Sequence, residues 1–142
     1  MSKLDALRAF FRDDFPQCTA TLEEVREGGA RMRQTIGEAQ LRPGNTVSGP
    51  VMMTLADAAA YAAILGHLGI VPLAVTINMS MNFMRRPRAD RDLIGDATLL
   101  KVGKRLAVAD VRIYSEGEPD VVAHATTTYA IPENVPSEKR EA

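Results

Sequence analysis

One cysteine, Cys18, stands in a chain of 142 residues, so no disulfide can close within it. A reducing, cytoplasmic setting is expected. Neither sign of charge is in excess: 17 Lys and Arg against 18 Asp and Glu leave a net charge of −1, and no global basic field offers itself to a nucleic acid. The opening MSKLDALRAFFRDDF carries charges throughout and holds no apolar stretch, so it does not read as a secretory signal. No serine sits in a G-x-S-x-G elbow. Neither His67 nor His124 has a Cys, His or acidic residue at a metal-ligand spacing, and both, like Cys18, read as structural. Repeats and low-complexity segments are absent. What is there is ordinary for a globular protein, 46% hydrophobic and 25% charged, in a length that suits one domain with a real core.

Apolar spacing organises the chain. Leu4, Leu7, Phe10 and Phe11 recur at helical intervals within residues 3–12, which predicts a short amphipathic helix against the body. CTATLEEVRE and ARMRQTIG flank Gly28–Gly29 and read as two strands around a glycine turn, with Cys18 opening the first. LRPGNTVSGP is a loop. A helix then runs from about Pro50 to about Leu65, with Gly66 or Gly69 to end it. In residues 73–85 Leu73, Val75, Ile77, Met79, Met81 and Phe83 share one face of a strand, and Thr76, Asn78, Ser80 and Asn82 the other. After the basic turn RRPRADRD, LIGDATLLKV and LAVADVRIYS form a hairpin through Gly103–Lys104, and VVAHATTTYAI is a last strand. The order predicts an α+β fold: an antiparallel sheet wrapped around one long central helix, in one domain over residues 1–132. Residues 1–15 form its N-terminal helical segment, and the polar tail 133–142 is expected to be disordered.

The long helix poses the functional question. Residues 51–70 are nearly long enough to span a membrane, but Asp57, His67, Gly66 and Gly69 argue against that, and a membrane partner is not expected. An ionised carboxylate is costly to bury unless it is paired or hydrogen-bonded. Asp57 therefore faces solvent, or is a structural acid bonded to backbone or to Tyr61, or lines a cleft and does chemistry. Its helical neighbours Met53, Thr54, Ala60 and Tyr61 offer only a thin polar stripe. At the helix start, Ser48–Gly49–Pro50 places N–H groups at the positive end of a helix dipole, where they can stabilise an oxyanion, and Gly49 has no side chain to block a ligand. An oxyanion donor and a general base or nucleophile are two components of an acyl-transfer site. At 1.5 Å rise per residue they lie about 12 Å apart, too far for one carbonyl, so a second copy of the chain would have to supply one of them.

GNTVSGPVMMTLAD, TINMSMNFMRRP, GDATLLKVGKRLAVADVRIY and VVAHATTTYAI, in that order over roughly residues 40–131, make the chain resemble the hotdog-fold acyl-CoA thioesterases of the phenylacetate-pathway (PaaI) type. The resemblance implies an acyl-CoA thioesterase with no metal or redox cofactor, coenzyme A being part of the substrate. It implies a homodimer or homotetramer whose sites join the glycine of one chain to the acid of its partner. On the matching positions, Gly49 would polarise the thioester carbonyl, Asp57 would be the catalytic acid residue, and Thr76 would hold the attacking water, unless it is a plain surface threonine. Ser48-Gly49-Pro50 stands where the family has His-Gly-Gly. Ser48 is smaller and neutral, Pro50 removes one N–H, and Asn45 is placed to replace part of the lost polarity. Arg85, Arg86, Arg88 and Arg91 at one turn, with Lys101, Lys104 and Arg105 at the next, are either solvated tips or a rim for the coenzyme A phosphates; Arg85, Arg86, Lys104 and Arg105 are the candidates. Tyr61 and Met52, Met53, Met79, Met81 and Met84 read as core or acyl-pocket lining. Two rivals stand beside this reading: a non-catalytic acyl-CoA-binding protein, and a dehydratase of acyl thioesters, which would want a histidine near the helix.

Overall fold

A computed structural model of the chain describes residues 2–133; the tail expected from residue 133 onward lies, beyond Glu133, outside the described residues. Helix α1 (Lys3–Asp14) begins where the Ser2 hydroxyl accepts from the Asp5 N–H at 3.1 Å, a side-chain cap for an otherwise unpaired donor. It buries Leu7, Phe10 and Phe11, the face that the spacing predicts. Strands β1 (Thr21–Arg26) and β2 (Gly29–Gln34) form the expected hairpin, turned at Gly28 with φ 73°, a left-handed conformation that costs glycine little. Cys18 lies ahead of β1 and does not open it. The segment read as loop contains a 3-10 turn (Glu38–Gln40) and a two-residue ribbon of β3 (Leu41–Arg42) with β4 (Thr46–Val47).

Helix α2 (Gly49–Leu68) is longer at both ends than the sequence suggests. Ser48 caps it by accepting from the Val51 N–H at 3.3 Å, and Gly69, at φ 90°, closes it by donating to the Leu65 carbonyl at 2.8 Å. Gly66 does not end the helix. It is buried, and a Cβ there would sit 3.0 Å from Val25, so its absence lets the helix pass close to β1. By length and composition α2 would suffice to cross a membrane, but most of it is buried inside the fold.

Strands β5 (Val75–Phe83), β6 (Leu93–Val102), β7 (Leu106–Ser115) and β8 (Ala123–Ala130) complete one antiparallel sheet in the order β1-β2-β6-β7-β8-β5. The meander β6–β8 is as expected. β5 passes over β6, its neighbour in sequence, and pairs with β8, so it forms the free edge opposite β1. The sheet wraps α2, whose Ala58, Ala59, Ala60, Ala62 and Ala63 are buried, and this enclosure accounts for a helix apolar almost all round. This is the hotdog arrangement. Gly95 of β6 keeps the helix close: a Cβ there would lie 3.0 Å from Leu55 and 3.5 Å from Ala59. Leu55 and Ala59 stand two residues to either side of Asp57, so Asp57 points away from β6, toward β5 and β8. Gly95→Val overpacks this contact and is expected to lower unfolding stability by about 1–3 kcal/mol, read from urea denaturation; a midpoint equal to the wild type would show that the helix can back away at no cost.

Candidate active site

The pairing of β5 with β8 shifts register between Thr76 and Asn78: Thr76 faces Tyr129, Asn78 faces Thr128, and Ile77 is the extra residue. One added residue reverses the pleat. Thr76 therefore shares a face with Met79 and Met81, whose partners Thr127 and Ala125 are buried. The alternation in the sequence put Thr76 on the opposite, polar face; the bulge turns it inward, onto α2.

There it meets Asp57. The Thr76 hydroxyl donates to Asp57 Oδ1 at 2.5 Å, and the Tyr129 hydroxyl lies 2.7 Å from the same oxygen and 2.9 Å from the Asp57 main-chain carbonyl. Both donors use Oδ1, and among the described residues none donates to Oδ2. The half-buried carboxylate is thus neither a solvent-stripe acid nor a partner of Tyr61, whose hydroxyl donates to the Pro72 carbonyl at 3.0 Å. Burial, reinforced by the Asp57 charge, pushes the Tyr129 phenol well above its ordinary range, so it remains a donor through neutral pH.

Asp57 opens on a cavity of about 880 Å³ walled by Phe10, Phe15, Tyr61, Pro72, Val75 and Tyr129, with Asp14, Gln17 and Cys18 among its other lining residues. The Tyr61 ring packs edge-on to Phe15 at 6.0 Å and stacks on Tyr129 at 6.0 Å. Burial raises the Cys18 thiol, which stays protonated and poorly nucleophilic at neutral pH. A largely apolar cavity with the Asp57 carboxylate at its wall, held by Thr76 and Tyr129, suits an acyl group bearing a polar, reactive end.

Gly49 does not line this cavity. At its end of α2, Pro50 has no N–H, the Val51 N–H is taken by Ser48, and the Gly49 N–H has no acceptor among the described residues. The open side of Gly49 faces the Phe83 ring, 3.6 Å from where a Cβ would be. Asn45 is exposed in the β3–β4 turn with φ 57°, and exposed Pro50 lines a separate hollow of about 230 Å³ with Thr19, Gln34 and Gln40. One chain therefore joins Asp57, Thr76 and Tyr61 around the middle of α2, while Ser48 and Gly49 lie at its N-terminal end.

None of the basic residues lines the Asp57 cavity. Arg85 and Arg86 are exposed, Arg85 lying 3.8 Å from Asp120. Arg105 pairs with Glu133 at 2.6 Å beside exposed Lys104. Arg88 is engaged by Asp90 and Glu118 and is a structural cation, as is Arg33 between Glu23, Asp92 and Glu116. The methionines do not line the cavity either: Met52 is core, and Met53 and Met84 are exposed. His124 contacts Asp110 across two strands, a pairing that sequence spacing cannot show. Among the described residues no group of three or more His, Cys, Asp or Glu is arranged to hold a metal ion. Tyr129, Phe15 and Pro72 escaped the sequence reading. Tyr129 carried one signal, a polar-tipped aromatic in an otherwise small-residue strand.

Comparison with known proteins bears on this geometry. The sequence model of the thioesterase superfamily matches residues 44–122. Among solved structures, the chain is similar to a protein described as a "putative thioesterase" from Silicibacter sp. TM1040, at 48% identity, 90% of each chain covered and a TM-score of 0.84. It is similar in fold to a point mutant of the phenylacetic acid degradation protein PaaI from Thermus thermophilus, at 23% identity, with 84% of this chain and all of that one covered and a TM-score of 0.72. It is likewise similar in fold to smu.793 from Streptococcus mutans UA159 bound to acetyl CoA, at 19% identity, with 80% of this chain and 88% of that one covered and a TM-score of 0.72.

Proposed function

This chain belongs to the thioesterase superfamily and is a thioester hydrolase, and from that premise we propose that it cleaves an acyl-CoA to a free acid and coenzyme A, with Asp57 as the general base or nucleophile. The observation that carries the reading is the Asp57 carboxylate itself. It stands half-buried at the wall of an apolar cavity, with Oδ1 occupied by Thr76 and Tyr129 and Oδ2 left for a reactant. In the general-base form, Oδ2 takes a proton from water as the water oxygen bonds to the thioester carbon. The carbonyl oxygen gains negative charge, which the Gly49 N–H of a second chain stabilises. Collapse breaks the C–S bond, and the proton held by Asp57 goes to the departing thiolate. In the nucleophilic form Oδ2 bonds to the carbon first and the C–S bond breaks to release the coenzyme A thiolate; water then hydrolyses the mixed anhydride, freeing the acid and restoring the Asp57 carboxylate. Thr76, by fixing Oδ1, aims Oδ2 in either case.

The choice of coenzyme A rests on the resemblance of the sequence and on the acetyl CoA bound by the Streptococcus mutans protein of the same fold. Its phosphates fall to Arg85, Arg86, Lys104 and Arg105; the exposed ion pairs of Arg85 and Arg105 cost little to open. Ser48, Asn45 and Pro50 shape the Gly49 end, and Tyr61 the acyl cavity. Release of free thiol from short, long and aromatic acyl-CoAs tests the reading: one class is expected to turn over at an ordinary enzymatic rate, on the order of 1–100 per second. Tight acyl-CoA binding with no thiol released would instead support the non-catalytic binder. The dehydratase rival has no support at the site, since neither His67 nor His124 lines the Asp57 cavity.

A further inference from the structure

We propose that Tyr129 is a positioning residue for Asp57: its hydroxyl fixes the carboxylate in one orientation, with Oδ2 presented to the reactant. The inference rests on the reading of Asp57 as base or nucleophile given above. Tyr129 is 2% exposed, and its ring is stacked on Tyr61, which is itself tethered to the Pro72 carbonyl. The phenol therefore has no room to swing. Its single proton faces Oδ1 at 2.7 Å and the Asp57 main-chain carbonyl at 2.9 Å, so one hydroxyl touches both ends of the same residue. A carboxylate turns freely about its last bond unless donors hold it. Thr76 alone, on an edge strand and exposed, would leave that bond loosely held. A buried phenol on the inner strand β8 gives the second point that fixes the plane.

The chemistry of the neighbours separates positioning from simple packing. Thr76 from β5 and Tyr129 from β8 touch the carboxylate; Tyr61 on α2, Asp14 at the end of α1 and the Cys18 thiol before β1 line the same cavity. Of these only Tyr129 is both ionisable and bonded to Asp57, and it stays protonated. Losing the Tyr129 hydroxyl leaves Thr76 as the single donor to the carboxylate and frees its last bond to turn.

Tyr129→Phe keeps the ring and removes one oxygen. It is expected to lower kcat about 10- to 100-fold, the size of losing a hydrogen bond to a charged group, while KM changes less than about threefold. The loss is expected in kcat at saturating substrate as much as in kcat/KM, because what suffers is the aim of Oδ2 and not substrate binding. Uniform replacement of the three tyrosines by 3-fluorotyrosine disturbs the packing but keeps the hydroxyl, and kcat is expected to stay within about threefold of wild type; turnover is counted per folded molecule, so the comparison stands even where Tyr129→Phe folds poorly. A Tyr129→Phe kcat within about twofold of wild type, a lowered Tm alone, or an equal fall in the fluorinated protein would overturn the assignment and leave Tyr129 as packing. Asp57→Asn run beside them keeps the two readings apart. If that variant is inactive while Tyr129→Phe and the fluorinated protein behave as wild type, only the positioning role falls; if it turns over normally, both fall.

Discussion

Asp57→Asn is expected to lower acyl-CoA turnover by two orders of magnitude or more, at least about 100-fold, the size of losing a general base. The substitution suits the question because it changes little else. An asparagine amide has the shape of the carboxylate, and its oxygen can go on accepting from Thr76 and Tyr129 at the positions now held by Oδ1. The amide nitrogen then stands where Oδ2 faced the cavity, and it can neither take a proton nor attack a carbonyl. Stability is expected to stay level or rise, because a charge leaves an apolar helix whose neighbours Ala56 and Ala58 are buried. Thiol release and a thermal melt on the same preparation check both halves. Turnover within about threefold of wild type would remove Asp57 from the chemistry. A collapse in Tm with turnover intact per folded molecule would make it a structural acid, the second of the three roles the sequence leaves open.

Much of this architecture is legible in the sequence because it is written in apolar spacing. Leu7, Phe10 and Phe11 mark the buried face of α1, and the meander β6–β8 shows as alternating strands with short turns between them. The long buried helix shows as a run that is greasy on every side. The site is less legible, for reasons that are physical. Thr76 lies on the polar side of a strict alternation, and only a bulge at Ile77, which leaves no mark in residue type, turns it toward Asp57. Tyr129 reads as a strand former, and its hydroxyl matters only once β8 lies between β7 and β5, an order that chain sequence does not dictate. Phe15 and Cys18 belong to no periodic segment, yet the end of α1 carries them to the cavity. Glycine was ambiguous in the same way. Gly66 and Gly69 both look like helix stops, but one serves a close approach to Val25 and only the other adopts the left-handed turn.

The separation of Gly49 from Asp57 leads to the second large effect. They lie about 12 Å apart along one helix, and the Asp57 cavity does not reach Gly49. Strand β5 runs beside α2 with Thr76 at the Asp57 end and Phe83 at the Gly49 end. It is also a free edge, and Val75, Ile77 and Phe83 along it are about half exposed. An exposed apolar edge of this kind is a template for pairing with another chain. If two copies pair antiparallel through β5 about a twofold axis near Met79 and Ser80, Phe83 of each lies opposite Thr76 of the other. Gly49 of one chain then approaches Asp57 of its partner, at both ends of the pair. A mixed-chain experiment reads this directly. Asp57→Asn has no base, and Gly49→Val, which fits its backbone but fills the space beside the free N–H, should lose about 100-fold through the obstructed oxyanion donor. Each alone is expected to be nearly inactive. Co-expressed in equal amounts, half of the dimers combine the two chains, and each such dimer holds one site with an intact Gly49 and an intact Asp57. About a quarter of wild-type activity should return, as twofold symmetry with random pairing requires. If each chain instead carried a complete site of its own, mixing would restore nothing, because every site would keep one of the two lesions.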